Sequence, residues 1–188
     1  MKLQPTALAE VIVAEPDVYA DERGFFSETW NAATFGGAGL ELRFVQCNHS
    51  HSTRGVLRGL HYQQPAPQGK LVRAITGEIF DVAVDLRRSS PTFARWVGVT
   101  LSAANKHALW VPPGFAHGFC VLSAAADVVY LCTGPRVAES EQTLRWDDPE
   151  LAIAWPLVGA PIVSAKDARG VSLRDAVVYP DDPAARLG

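Results

Sequence analysis

Residues 44–63 contain three of the five histidines of the chain. Histidine side chains titrate near neutral pH, so each is a candidate general base. Apolar and polar residues alternate around Gln46 and Asn48, and residues 56–62 read as a second strand that carries His61. A base and two carboxamides on neighbouring strands predict an active site, although a histidine in an apolar strand is more often structural.

Cations and a phenol are further candidates for the same site, and two of the cations, Arg58 and Lys70, lie near His61 in sequence. Arg23, Arg58 and Lys70 can together bind a diphosphate, because guanidinium groups match phosphate oxygens. Each of them taken alone is more often a solvated surface charge. Tyr130 lies in an otherwise apolar strand, where its hydroxyl needs a hydrogen-bond partner if it is buried. A satisfied core tyrosine is the alternative interpretation.

The strand over residues 56–62 leaves one question open. Side chains of a regular strand alternate between its two faces, which places Arg58 and His61 on opposite faces. Either Gly59 marks a β-bulge that brings both side chains to one face, or Arg58 serves a different site, such as one in a partner subunit.

A metal site is the main alternative chemistry. Residues 112–117 match the PxGxxH pattern that carries one metal-binding histidine, here His117, in cupin sandwiches. Those sites also need an HxH pair followed by a carboxylate. Residues 61–63 lack the second histidine, and residues 49–51 have the histidine spacing but no glutamate a few residues later. We therefore expect no catalytic metal.

Composition narrows the class of protein and of partner. The chain has 17 basic and 20 acidic residues and a net charge of −3, which argues against nucleic-acid or anionic-membrane binding. Its three cysteines form no CxxC pair, so we expect no disulfide framework and a reducing cytoplasm. No apolar run has the length of a signal peptide or a membrane helix. We expect a single domain over residues 1–188.

The pattern of secondary structure favours an all-β fold. Many short strands follow one another with Gly/Pro turns, which is typical of an antiparallel sandwich or barrel. The clearest alternation covers residues 78–87, with apolar side chains on one face and charged residues such as Asp81 on the other. We also predict a strand over residues 25–30 that places Phe26 and Glu28 on one face.

Over most of its length, from about Val11 to Asp167, the chain resembles the dTDP-4-dehydrorhamnose 3,5-epimerase family. The motifs that carry the resemblance are DERGFFSE at 21–28, FVQCNHS at 44–50, VLRGLHYQ at 56–63, QGKLVR at 68–73, GFAHGF at 114–119 and SAKD at 164–167. So many motifs in one order make the resemblance specific at the level of the family.

The resemblance implies an antiparallel double-sheet jelly roll of the cupin type with short peripheral helices, a homodimer and no cofactor. It assigns the base to His61, the acid to Tyr130, the carboxylate that orients the base to Asp167, and the cation beside the enolate to Lys70. The implied contacts with the nucleotide and the sugar are Arg23, Phe26, Glu28, Gln46, Asn48, Arg58, Lys70, His117, Arg136, Glu141 and Lys166.

The reaction implied by the resemblance is inversion at C3 and C5 of a dTDP-4-keto-6-deoxy sugar. Both C–H bonds are acidic because they lie next to the 4-keto group, and a cation near O4 stabilises the enolate. A phenol on the opposite face of the sugar can return the proton. Two alternatives are an enzyme that inverts C3 only and a ketoisomerase. A third is a non-enzymatic cupin that binds a sugar nucleotide or a metal.

The chain departs from the family after Thr133. The family usually has an aromatic pair and then a proline there, whereas this chain has Gly134, Pro135 and Arg136. Arg136 occupies the place of an aromatic side chain that stacks on the thymine base. Its planar guanidinium can also lie flat on a base, or it can turn toward the diphosphate.

Overall fold

The computed structural model describes residues 1–183, which form the predicted antiparallel double-sheet jelly roll. Its strands, in chain order, are β1 (Lys2–Pro5), β2 (Ile12–Glu15), β3 (Tyr19–Asp21), β4 (Gly24–Phe26), β5 (Gln46–Thr53), β6 (Leu57–Gln63), β7 (Lys70–Thr76), β8 (Glu78–Asp85), β9 (Trp96–Ser102), β10 (Ala108–Val111), β11 (Phe115–Val121), β12 (Ala125–Cys132) and β13 (Glu141–Thr143). The helical elements are α1 (Ala32–Gly37) and two short 3-10 turns, Ala138–Ser140 and Asp167–Arg169.

Two sheets form the sandwich. The six-stranded sheet has the order β1-β2-β10-β7-β12-β5, and the five-stranded sheet has the order β13-β6-β11-β8-β9. The two remaining strands, β3 and β4, pair only with each other as a separate hairpin. The site described below lies between the two larger sheets, so its residues come from strands that are far apart in sequence.

The main core fills the space between the sheets. Val72 and Leu109 project inward from the six-stranded sheet and meet Ile79 and Phe119 from the five-stranded sheet. These side chains are almost completely buried, and burial of apolar surface is the main favourable term that holds the two sheets together.

Each sheet is also covered on its outer face. Helix α1 packs Phe35 against Trp110 on the six-stranded sheet, and it begins at Asn31, whose side chain accepts hydrogen bonds from the backbone N–H groups of Ala33 and Thr34. The C-terminal segment packs apolar side chains such as Leu173 over the five-stranded sheet. Among residues 1–183, no helix has the length and hydrophobicity needed to cross a membrane.

Strand β8 has the predicted alternation, and its charged face is the one that points between the sheets. Val82 and Val84 lie under the C-terminal segment, whereas Asp81 and Asp85 are completely buried on the other face. A buried carboxylate must be paired or hydrogen-bonded. Both have partners, and the partner of Asp81 belongs to the candidate site.

The predicted strand over residues 25–30 is wrong beyond Phe26, where β4 ends. Glu28 lies in the irregular segment that follows, and its carboxylate accepts a hydrogen bond from Nδ2 of Asn31 at 2.9 Å. The segment turns here because Asn31 caps helix α1 and Glu28 binds the capping side chain. Phe26 and Glu28 therefore do not share a strand face.

Strand β6 contains a β-bulge at Gly59, which is the first of the two interpretations given above for this strand. His61 pairs with His117 of β11, but Arg58 pairs with Phe119, so two residues of β6 stand opposite one residue of β11. Gly59 has a φ of +116°, and a Cβ there would lie 2.7 Å from the backbone of Gly118. Only glycine fits this position, and the bulge turns Arg58 and His61 toward the same side.

Candidate active site

A cavity of about 480 Å³ opens between the two sheets. The five-stranded sheet contributes His61 and His117 to its wall, and the facing sheet contributes Lys70 and Tyr130. Eleven of the site residues named from the sequence line it: His61, Lys70, Tyr130, Asp167, Gln46, Asn48, Arg58, His117, Arg136, Glu141 and Lys166.

His61 is bound to a buried carboxylate. Its Nε2 lies 2.6 Å from Oδ1 of Asp167, and the Asp167 side chain is only 4% exposed. Burial alone would raise the pKa of Asp167, but hydrogen bonds from His61, the Gly59 amide and Ser164 hold this pKa below its usual value. An ionised carboxylate can only accept a hydrogen bond, so Nε2 of His61 is the donor to Asp167 and Nδ1 is left for another partner.

A second imidazole–carboxylate pair lies beside the first. His117 is the register partner of His61, and its Nε2 lies 2.7 Å from Oδ1 of Asp81. Both side chains of this pair are almost completely buried, at 7% and 0% exposure. Of this pair only His117 lines the cavity, and Asp81 lies behind it, whereas the side chain of His61 is 32% exposed.

The facing sheet supplies a cation and a phenol. Lys70 stands opposite Cys132, two residues from Tyr130 on β12, so the two side chains project from the same face of neighbouring strands. Burial lowers the pKa of Lys70, and it raises the pKa of Tyr130 above the ordinary phenol value. The Tyr130 hydroxyl therefore keeps its proton at neutral pH.

Three charged side chains form a chain at the mouth of the cavity. Arg136 donates from Nε and Nη2 to the two carboxylate oxygens of Glu141, at 3.0 and 2.8 Å. Nζ of Lys166 donates to the same carboxylate at 2.9 Å. The hydrogen bond from Arg136 and the charge of Lys166 lower the pKa of Glu141 to about 2, although partial burial acts the other way.

A sequence model of the dTDP-4-dehydrorhamnose 3,5-epimerase family matches residues 5–175 of the chain. The chain belongs to this family. A 3,5-epimerase of Pseudomonas aeruginosa is 55% identical over 181 residues, which cover 96% of this chain and 100% of that protein. A 3,5-epimerase of Neisseria gonorrhoeae is 52% identical to this chain. That match covers 96% of this chain but only 56% of the Neisseria protein.

Solved structures of the family share the fold. The dTDP-6-deoxy-D-glucose 3,5-epimerase of Legionella pneumophila, in complex with dTDP-4-keto-L-rhamnose, has a TM-score of 0.93 and 50% identity over 96% of this chain and 98% of that chain. A 3'-monoepimerase of Streptomyces bikiniensis, in complex with dTDP-quinovose, has a TM-score of 0.86 and 33% identity over 98% of this chain and 90% of that chain. Both kinds of epimerase are thus built on this fold.

Three of the site residues predicted from the sequence lie outside the cavity. Arg23 and Phe26 belong to the β3–β4 hairpin, and Glu28 follows it. Arg23 pairs with Asp21, a near neighbour in sequence, and Phe26 is 69% exposed. Within one chain, therefore, none of these three residues lines the cavity that contains His61.

Sequence patterns did not identify the residues that hold other cavity-lining segments in place. Ser52 accepts a hydrogen bond from Nε of Arg58 at 2.9 Å and so orients this cation. Gln63 donates to the carbonyl of Pro135 at 3.3 Å and accepts from the Val137 amide at 2.8 Å. The sequence does contain an indication for Asp81. It is an acidic residue in a strand with apolar neighbours, and a carboxylate that is buried there needs a hydrogen-bond partner.

The donor set does not resemble a cupin metal centre. His61 and His117 each direct one nitrogen at a carboxylate. Within residues 1–183, no three His, Cys, Asp or Glu side chains converge as metal ligands do. The two histidines that line the cavity are therefore each held in a hydrogen-bonded pair with a carboxylate.

Proposed function

We propose that this chain inverts C3 and C5 of dTDP-4-dehydro-6-deoxy-D-glucose and forms dTDP-4-dehydro-L-rhamnose for dTDP-L-rhamnose biosynthesis. One observation carries the proposal: a carboxylate-bound imidazole, His61, and a protonated phenol, Tyr130, stand on opposite sheets around one cavity. Inversion of a carbon requires proton removal on one side of the sugar ring and proton return on the other.

Each inversion begins with proton transfer to Nδ1 of His61. The electron pair of the broken C–H bond forms a C=C bond, and the carbonyl π pair moves to O4. The Asp167 carboxylate stabilises the imidazolium that results. The ammonium of Lys70 faces the enolate oxygen, where a preorganised cation lowers the barrier.

Proton return completes the inversion. Tyr130 donates its phenolic proton to the same carbon from the opposite face, the C=C electrons form the new C–H bond, and an electron pair on O4 re-forms the carbonyl. The tyrosinate then regains a proton and His61 releases one, through water, which resets the site for the second carbon. Because burial raises the pKa of Tyr130, the phenol gives up its proton only when the enolate takes it.

The remaining residues of the cavity hold the nucleotide. Arg58 and Lys166 supply positive charge for the diphosphate, which suits their cationic side chains. Gln46 and Asn48 stand two residues apart on β5, with a hydrogen bond of 2.8 Å between their side chains. His117 contributes the buried end of the sugar pocket.

We also propose that the chain works as a homodimer whose β3–β4 hairpin completes the partner's cavity. Phe25 and Phe26 are 63% and 69% exposed within one chain, and large exposed apolar side chains in a group mark contact surfaces. A second copy would bring Arg23, Phe26 and Glu28 to the substrate. Light scattering is expected to give twice the mass of the chain, and a fully active monomer would contradict this.

We propose a cytoplasmic location for the enzyme. Cys47, Cys120 and Cys132 are all free thiols, and free cysteines are usual in a reducing compartment.

The test of the function is incubation of the protein with dTDP-4-dehydro-6-deoxy-D-glucose in heavy water, followed by NMR. Deuterium at both C3 and C5, with inverted configuration at both, is expected. Deuterium at C3 alone would indicate the 3-epimerase, the alternative that the Streptomyces bikiniensis monoepimerase keeps open. Movement of the ketone would indicate a ketoisomerase, and no exchange would indicate a binding protein.

A further inference from the structure

Cys132 lies behind the cavity wall, at the centre of four side chains that line the cavity. On one side of β12 it pairs with Gln46 of β5, and on the other side it pairs with Lys70 of β7. Tyr130 lies two residues earlier on the same face of β12 and pairs with Asn48. All four neighbours line the cavity, whereas Cys132 is only 1% exposed. Cys132 can therefore affect a ligand only through these neighbours.

Three hydrogen bonds run in one direction and end at the Cys132 thiol. The backbone N–H of Arg136 donates to Oε1 of Gln46 at 2.8 Å. Nε2 of Gln46 donates to Oδ1 of Asn48 at 2.8 Å. Nδ2 of Asn48 in turn donates to Sγ of Cys132 at 3.5 Å. The thiol is thus the last acceptor of a series that includes both carboxamides of the cavity wall.

The first donor decides how both carboxamides are oriented. A backbone N–H can only donate, so Gln46 must turn its oxygen to Arg136 and its NH2 group to Asn48. Asn48 must then turn its oxygen to Gln46 and its NH2 group to Cys132, where an acceptor is required. Each NH2 group has two hydrogens and uses one within the series. One N–H of each carboxamide therefore remains for the oxygens of a ligand.

A thiol suits this position because it accepts a hydrogen bond weakly and carries no charge. Burial raises the pKa of Cys132, although the charge of Lys70 acts the other way, so the thiol stays protonated at neutral pH. An ionised acceptor here would pair with the neighbouring Lys70, whose ammonium faces the enolate oxygen in the proposed reaction. The thiol therefore ends the series without taking this cation from the substrate.

We propose that Cys132 is a positioning residue that acts through Asn48 and Gln46, and that its thiol fixes both carboxamides as hydrogen-bond donors to the nucleotide. The inference rests on the proposed function, which supplies the nucleotide. It assigns to Cys132 an effect on ligand affinity and on KM, with little effect on the proton transfers at C3 and C5.

Calorimetric titration with dTDP, combined with steady-state kinetics of the epimerisation, tests the proposal. Cys132→Ala and Cys132→Val both remove the acceptor, and valine also fills the space of the thiol. Both variants should bind dTDP about threefold to tenfold more weakly, which is the typical contribution of one neutral hydrogen bond. KM should rise by a similar factor, with kcat within about twofold of the wild type. Cys132→Ser keeps an acceptor and should restore most of the affinity.

The matched control is Cys120→Ala. Cys120 is also a completely buried thiol, but it lies on β11, in the sheet opposite to Gln46 and Asn48. Its replacement removes the same atoms from the protein interior and should leave both dTDP affinity and KM unchanged.

A double-mutant cycle with Asn48→Ala separates positioning from general packing. If Cys132 acts through the carboxamide of Asn48, Cys132→Ala should change dTDP affinity by less than about twofold in the Asn48→Ala background. Equal losses of affinity with and without Asn48 would overturn the proposal. Wild-type affinity of the alanine and valine variants, or a fall in kcat at unchanged KM, would also overturn it.

Failure of the proposed function gives a different result. A wild type that binds dTDP and exchanges no sugar protons would refute that function, while the double-mutant cycle in dTDP affinity would still test the role of Cys132. A wild type with no affinity for dTDP would overturn the inference, since no nucleotide would then meet the two carboxamides.

Discussion

Replacing Asp167 with asparagine removes one charge and almost no volume from the site. The carboxylate lies 2.6 Å from Nε2 of His61 and is 4% exposed, so solvent screens it poorly. Two opposite charges about 4 Å apart at an effective dielectric constant of about 20 attract by about 4 kcal/mol. This attraction exists only when His61 becomes cationic after taking the substrate proton. Its loss should lower kcat/KM by between about 100-fold and 1000-fold.

The assay is the initial rate of deuterium exchange at C3, measured by NMR in heavy water with the substrate well below KM, where the rate is proportional to kcat/KM. Asp147→Asn is the matched control, because its carboxylate pairs with Arg145 on the surface and is 42% exposed. The control should exchange at the wild-type rate. A folded Asp167→Asn variant with a rate within about tenfold of the wild type would refute the reasoning, because that corresponds to only about 1.4 kcal/mol.

The same variant tests how Asp167 links stability to pH. Its hydrogen bonds hold the pKa of Asp167 below the ordinary value in the folded state. A lowered carboxyl pKa stabilises the fold above the unfolded value of about 4 and loses this contribution as the pH falls through the folded pKa. The wild type and Asp167→Asn should therefore converge in unfolding free energy below about pH 4. A gap that widens on acidification would contradict the assignment.

Three further changes test other parts of the site. Tyr130→Phe should retain some deuterium exchange while the yield of inverted product falls by about 100-fold or more; full epimerisation would show that another group is the acid. Gly59→Ala should cost about 2 kcal/mol or more in urea unfolding, because its Cβ would lie 2.7 Å from the backbone of Gly118. Gly37→Ala is the control, since nothing lies within 4 Å of its added Cβ, and equal stability of the two variants would argue against a required bulge. Dialysis against a chelator should leave the activity unchanged, and activity that is lost and then restored by one metal ion per chain would indicate a metal enzyme.

The bulge in β6 is a feature that the local sequence pattern does not predict. Alternation predicts the strand and places His61 on it, but it also sets Arg58 on the opposite face. The side on which Arg58 emerges depends on the close approach of Gly59 to Gly118, which lies far away in sequence. A glycine in a strand indicates a possible bulge, and only the neighbouring strand decides it.

Strand β8 shows a second limit. Its alternation predicts which residues share a face, and the structure has these two faces. The sequence does not say that the C-terminal segment covers Val82 and Val84, which turns the face of Asp81 inward. The pairing of Asp81 with His117 then follows from the register of β8 and β11, a contact between distant parts of the chain.

The hairpin residues show a third limit, because their proposed role depends on a second molecule. The resemblance assigns Arg23 and Phe26 to the substrate, but within one chain they lie away from the cavity. The local sequence pattern does not show which surfaces of two copies of the chain contact each other. The exposed aromatic side chains of the hairpin are a physical signal of such a contact.

The exchange of sugar protons by His61→Asn tests the central claim most directly. Asparagine keeps a polar side chain of similar reach but provides no basic nitrogen at neutral pH. The variant, with its fold checked by circular dichroism, is incubated with dTDP-4-dehydro-6-deoxy-D-glucose in heavy water and followed by NMR. Loss of exchange at both C3 and C5, by about 100-fold to 10,000-fold, is the predicted result. Exchange near the wild-type rate at either carbon would contradict the assignment of His61 as the base.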